Sequence, residues 1–251
     1  MTAPIALITG ASAGLGVDFA RQLSADGARL VLVARRKERL DSLAAELGDA
    51  RVVAMDLSEA GAAERLLADL AAHGEHVDLL VNNAGFGAGG TIAELDAGRQ
   101  RQMIDLNCGV LTQLTALALP GMVERGRGGI LNVASTAAFQ PGAGAAVYYA
   151  TKAFVLNFTE ALHEEMRGTG VHVTALCPGP TTTEFFEVAA YGQGTRLEKF
   201  AMGSAPVVAA GLAGVAHNRP VVIPGTLNKV GAQGHRLLPR ALLRKVAKLV
   251  H

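Results

Sequence analysis

Tyr148 and Lys152 stand four residues apart in the stretch VYYATK, residues 147–152. On a helix that spacing places both side chains on one face, a turn from each other. A free phenol, with a pKa of about 10, exchanges protons poorly at neutral pH. An ammonium group held beside it favours the phenolate and draws its pKa toward the working range. Tyr149 cannot take that role, because it points about 100° away on the same helix. The pair is a candidate proton donor and acceptor, although Y-x-x-x-K on its own is commonest as a surface pair. The elements that would position it decide between the two.

Short apolar runs alternate with helical patterns along most of the chain. The expected strands are Ile5–Thr9, Leu30–Ala34, Val52–Met55, Leu79–Asn82, Ile130–Ser135, Val171–Cys177 and Val221–Ile223. The expected helices are Leu15–Ala25, Lys37–Leu47, Ala62–Ala72, Arg99–Glu124, Val147–Arg167 and Pro206–His217. Such alternation implies parallel pairing with right-handed crossovers. Near-continuous apolar strands such as LVLVA and ILNVA suit a sheet covered on both faces. No linker or repeat divides the chain. It is therefore expected to fold as one α/β domain over residues 1–251, a Rossmann-like doubly wound parallel sheet of about seven strands.

Thr9–Gly16 reads TGASAGLG, directly after the first strand and opening the first helix. Gly10, Gly14 and Gly16, with Ser12 and Leu15 between them, let the backbone turn tightly against a pyrophosphate at a helix N-terminus. The spacing G-x-x-x-G-x-G departs from the general dinucleotide fingerprint G-x-G-x-x-G. The same residues also match G-x-S-x-G, with Ser12 as a hydrolase nucleophile. An elbow on the first strand leaves little chain before it for an oxyanion loop, and the later motifs would go unexplained.

At the end of the second strand, LVLVARRKERL puts Ala34 where an acidic residue would bind the ribose 2′-hydroxyl of NAD. Arg35 and Arg36 follow, and guanidinium groups suit a 2′-phosphate. NADP(H) is thus favoured over NAD(H). Asp56 and Leu57 can meet the adenine edge, or Asp56 can simply cap the next helix. A net charge of +1 argues against a nucleic-acid partner. Cys108 and Cys177 form no close-spaced metal or redox motif, and the N-terminus lacks a basic signal-peptide region; both suit a cytoplasmic protein. No apolar run is read as long enough to span a membrane. His163-Glu164 opens like a zinc motif, but Arg167 replaces the second histidine, so no metal site is expected.

Asn82-Asn83-Ala84-Gly85, taken with TGASAGLG, Asn107, Ser135 and Tyr148-x-x-x-Lys152, resembles the short-chain dehydrogenase/reductase family over about residues 5–183. The resemblance implies that Ser135 hydrogen-bonds the substrate oxygen, that Tyr148 is the general acid/base, and that Lys152 tunes Tyr148 and holds the nicotinamide ribose. It further implies that Asn107 anchors a water in a proton relay. Asn83, Ala84 and Gly85 would line the adenosine side, and Pro178, Gly179 and Thr183 the nicotinamide side. A homodimer or homotetramer is expected on the same ground.

The expected substrate is a small carbonyl compound or its alcohol. Phe185, Phe186, Val188, Tyr191 and Phe200 in a loop over about residues 180–205, with Phe86 and Phe139, hint at an apolar pocket, since aromatic residues are only 4% of the chain. Arg196 and Lys199 could instead meet an anionic substrate. A basic amphipathic helix is expected over residues 236–251, more readily packed on protein than on membrane. Two other uses of the chain stay open here: an epimerase, dehydratase or lyase keeping the Tyr–Lys pair, and a non-catalytic NADP-binding or membrane-associated module.

Overall fold

Alternate residues of each strand enter different cores. In the first strand Ile5 and Leu7 join one apolar cluster, while Ala6 and Ile8 join another on the opposite face. A computed structural model describes residues 3–184 and 201–234. Its strands are β1 (Ile5–Thr9), β2 (Arg29–Ala34), β3 (Ala50–Ala54), β4 (Leu79–Asn82), β5 (Gly128–Val133), β6 (Val171–Leu176) and β7 (Val221–Val222). They form one sheet in the order β3-β2-β1-β4-β5-β6-β7, with every pairing parallel. Helices α1 (Leu15–Ala25) and α2 (Lys37–Leu47) cover one face, burying Phe19, Leu23 and Leu40. Helix α3 (Ala62–Ala72) covers the other with Leu66 and Leu70.

The next helical run is not one regular helix as expected. It consists of α4 (Ala97–Ile104), a six-residue π segment (Asp105–Val110) and α5 (Leu111–Glu124). It begins at Ala97 rather than Arg99 because Asp96 caps it, accepting from the Arg99 amide at 2.7 Å. By length and composition this 28-residue run is apolar enough to cross a membrane, contrary to the reading of the sequence. Met103, Leu114 and Met122 nevertheless lie fully buried in the protein's own cores.

Helix α6 (Ala146–Glu165) follows a short 3₁₀ turn (Thr136–Phe139), and α7 (Ser204–Ala216) joins α1 and α2 on their face. Strand β5 stops at Val133, short of the expected Ser135, because Ser135 caps that turn through its hydroxyl, which accepts from the Ala137 amide at 3.1 Å. Helix α8 (Thr226–Gly234) was not expected. Its alternation of small and polar residues (TLNKVGAQG) leaves only Ala232 buried, too thin an apolar stripe to read.

Strand order reverses at β1, which pairs with β2 on one side and β4 on the other, Leu7 facing both Val31 and Leu80. The two halves of the chain diverge there, opening a crevice beyond the strand ends. Thr9 pins its walls: its hydroxyl donates to the Val81 carbonyl at 3.3 Å and accepts from the amides of Asn83 (3.0 Å) and Ala84 (2.9 Å).

Beneath the crevice runs a buried polar chain. Asn82 donates to Asn132 Oδ1 (2.9 Å) and Thr115 Oγ1 (3.1 Å), Asn132 donates to Thr159 Oγ1 (3.0 Å), and Thr159 donates to the Val155 carbonyl (2.6 Å). It ties β4 and β5 to α5 and α6. Replacing Asn132 with alanine removes one buried hydrogen bond each from Asn82 Nδ2 and Thr159 Oγ1, and should lower unfolding stability by roughly 1–3 kcal/mol, measured by urea denaturation.

Candidate active site

The turn after β1 is built on close backbone approach. Gly10 has φ +67°, and a Cβ there would sit 2.9 Å from the Ala84 Cα. Gly16 packs its Cα against the Gly10 carbonyl, 2.2 Å from where a Cβ would stand, so α1 can begin directly beneath the turn. The N-cap of α1 is Gly14, with no side-chain cap, which leaves that helix end to a ligand. A cavity of about 580 Å³ opens here. Gly10, Ser12, Gly14, Leu15, Arg35, Arg36, Asp56, Leu57, Asn83, Ala84 and Gly85 line it, and so do Ser135, Tyr148, Lys152, Pro178, Gly179 and Thr183. Of the described residues given a site or pocket role from the sequence, Gly16, Asn107 and Phe139 do not line it, and Phe139 packs instead against the core of Leu111, Val155 and Leu156. Gly16 supports the turn instead.

At one end Arg36 donates from Nε to Ser12 Oγ (3.3 Å) and from Nη2 to the Ser12 carbonyl (3.4 Å). Arg35 is exposed and lies 3.8 Å from Asp56. Burial works against the charge of Asp56, but the Ser58 hydroxyl and amide, helped by Arg35, hold its carboxyl below the usual range. A bare helix end, a glycine cradle and two adjacent guanidiniums fit a dinucleotide carrying a 2′-phosphate.

At the other end Tyr148 is buried and its phenol is hydrogen-bonded to the Ser135 hydroxyl. Ser135 also donates to the Pro178 carbonyl at 3.4 Å. Lys152 Nζ donates to the Val133 carbonyl at 2.8 Å and lies 5.8 Å from the centre of the Tyr148 ring. Burial pushes the phenol's pKa up, Ser135 pulls it down, and Tyr149 pushes it up further. The expected lowering by the ammonium is thus not what the geometry produces. The lysine is directed at a carbonyl, and desolvation of the phenol outweighs it. Burial also lowers Lys152, to about 8, against smaller opposing effects of Cys108 and Cys177.

Asn107 sits in the π segment, fully enclosed. Its Oδ1 accepts from the Phe86 amide (3.1 Å), and its Nδ2 donates to the Phe86 carbonyl (3.0 Å) and to Thr151 Oγ1 (3.1 Å). Thr151 in turn donates to the Tyr148 carbonyl at 2.7 Å. Its side chain therefore joins the loop after β4 to the helix bearing Tyr148 and Lys152.

Set beside known proteins, the sequence pattern of the short chain dehydrogenase family matches residues 4–192. The chain belongs to that family. This short-chain dehydrogenase is 42% identical over 198 residues to the NADP-dependent 3-hydroxy acid dehydrogenase YdfG of Shigella flexneri, covering 78% of this chain and 80% of that protein. Among solved structures it resembles a short-chain dehydrogenase from Sphingobium yanoikuyae in complex with NADPH, with a TM-score of 0.85 and 32% identity over 96% of this chain and 95% of that one. It also resembles a serine dehydrogenase complexed with NADP+, with a TM-score of 0.80 and 37% identity over 87% and 93% of the two chains.

Sequence reasoning missed Thr9, Arg39, Thr151 and Glu184, which act through contacts between distant segments, and Arg99, whose guanidinium lies 4.1 Å over the Phe86 ring. Phe185, Phe186, Val188, Tyr191, Arg196, Lys199 and Phe200 lie outside the described residues, as does the tail from 236 to 251.

The Lys152 shift has a signed consequence. Its folded pKa, about 8, lies below its usual 10.5, so the folded protein holds fewer protons than the unfolded chain between those values. Stability is therefore penalised below pH 8 and recovers as pH rises. Relative to Lys152→Met, the cofactor-free protein should gain about 2 kcal/mol between pH 7.5 and 10, read from paired denaturation curves.

Proposed function

We infer that this chain interconverts a ketone or aldehyde with its alcohol, with Tyr148 as the general acid/base. The observation carrying the reading is the buried Ser135–Tyr148 hydrogen bond at one end of a dinucleotide-shaped cavity, with Lys152 one helical turn away. Bound NADP(H) supplies or receives the hydride. In the reducing direction Ser135 donates a hydrogen bond to the substrate oxygen and Tyr148 delivers its phenolic proton there. Lys152, held by the Val133 carbonyl, places a positive charge behind the phenol, which stabilises the phenolate left after transfer. Asn107 acts as a positioning residue, since its amide is committed to Phe86 and Thr151. Gly10 to Leu15 would hold the pyrophosphate, Arg35 and Arg36 the 2′-phosphate, Asp56 and Leu57 the adenine, and Pro178, Gly179 and Thr183 the nicotinamide.

For the substrate the reading is a hydroxy acid or the corresponding oxo acid, as the name of the 3-hydroxy acid dehydrogenase relative suggests. Arg99 supports it: this guanidinium lines the cavity and has no acidic partner among the described residues. Phe86, which it covers, packs in the same cluster as Tyr148. Exposed Ile104, Leu117 and Phe154 on α4, α5 and α6 support a homo-oligomer, and two free thiols suit a cytoplasmic site of action.

Tyr148→Phe should lower kcat by roughly 10²–10⁴-fold while NADPH titration by fluorescence shows affinity nearly unchanged; retained turnover would remove the assignment. A same-fold epimerase or lyase would instead turn over with no net change in nicotinamide absorbance. Arg99→Ala should raise KM about tenfold for 3-hydroxy acids and leave neutral secondary alcohols of equal length unaffected in the same steady-state assay.

A further inference from the structure

Glu184 lies where the segment after β6 reaches the start of α2. Its Oε2 accepts from Arg36 Nη1 at 3.1 Å, and its Oε1 accepts from Arg39 Nη1 at 2.5 Å. The same Arg36 reaches with its other nitrogens to the hydroxyl and carbonyl of Ser12. One carboxylate is thus held by two guanidinium forks beside a serine hydroxyl. Arg39 first, then Arg36, keeps its carboxyl well below the usual range, so it is charged at any working pH. Ser12, Arg36 and Glu184 all line the dinucleotide cavity.

Two guanidiniums meeting on one anion, one of them braced by a serine hydroxyl, is also what a phosphate monoester requires. We propose that Glu184 is an internal competitor for the 2′-phosphate of NADP(H), and so a residue that sets cofactor affinity and selectivity. The idea rests on placing that phosphate at the Arg36 end of the cavity. The two arginines and the glutamate carry a net charge of +1. A phosphate dianion entering beside the carboxylate meets repulsion, and it gains the full field of both arginines only when Glu184 withdraws. NAD(H) brings a neutral hydroxyl to the same place and has no charge with which to displace the glutamate. The groups involved are partly exposed, so each pair contributes modestly.

The test compares wild type, Glu184→Gln and Arg36→Ala in equilibrium titrations with NADPH, NADH and 2′,5′-ADP, which has the phosphate but no nicotinamide. Glu184→Gln should tighten NADPH and 2′,5′-ADP alike by about three- to tenfold and leave NADH within about twofold. Arg36→Ala should weaken NADPH and 2′,5′-ADP. Unchanged or weaker NADPH binding in Glu184→Gln, or equal tightening of NADH, overturns the competitor role. If Arg36→Ala also leaves NADPH and 2′,5′-ADP unaffected, the placement of the phosphate itself is wrong. Loss with Arg36→Ala beside a flat response to Glu184→Gln confines the failure to Glu184.

Discussion

One hydroxyl holds the crevice in register. Thr9 ends β1 at the point where strand order reverses, and its Oγ1 bonds three backbone groups of the neighbouring segment, Val81 O and the amides of Asn83 and Ala84. Asn83 returns the contact, its Nδ2 donating to the carbonyls of Thr9 and Gly10 at 2.9 and 3.2 Å. The glycine turn and the segment after β4 therefore move as one body. Everything placed on either wall, from the bare end of α1 to the loop that Asn107 grips, inherits its position from that junction.

The reactive end depends on a different balance. Tyr148 and Lys152 are both desolvated, and burial disfavours the charged form of each: the phenol rises and the amine falls. Ser135 and the Val133 carbonyl counter this with directed hydrogen bonds. A site arranged this way keeps the phenol protonated, while the amine, lowered only to about 8, still carries its charge at neutral pH. The phenolic proton is retained until a substrate oxygen accepts it.

Much of this architecture was legible in the chain. Strands β1 and β4 and helices α1, α2 and α3 have the bounds their patterns imply, because each is bracketed by glycine or by a sharp change of polarity. The cavity-lining residues were found because glycine spacing and paired arginines state a local chemistry. The π segment was not legible, since nothing in IDLNCGV breaks a regular helical pattern, and its geometry depends on Asn107 bonding a loop twenty-one residues away. Glu184 and Arg39 were invisible for a similar reason: they meet across 145 positions of sequence, and each alone reads as an ordinary surface charge. The lysine's influence on the phenol was misjudged, because spacing on a helix says nothing about which carbonyl lies nearer.

The buried chain from Asn82 through Asn132 to Thr159 bears on how the molecule assembles. Its links span fifty and then twenty-seven positions, and the second cannot close until α6 has been made. A nascent chain released as far as β5 has one amide waiting in the apolar interior for a threonine still inside the ribosome. Synthesis of α6 therefore delivers the missing acceptor and the phenol–amine pair on the same rod, so that maturation of the interior and the onset of chemical competence coincide.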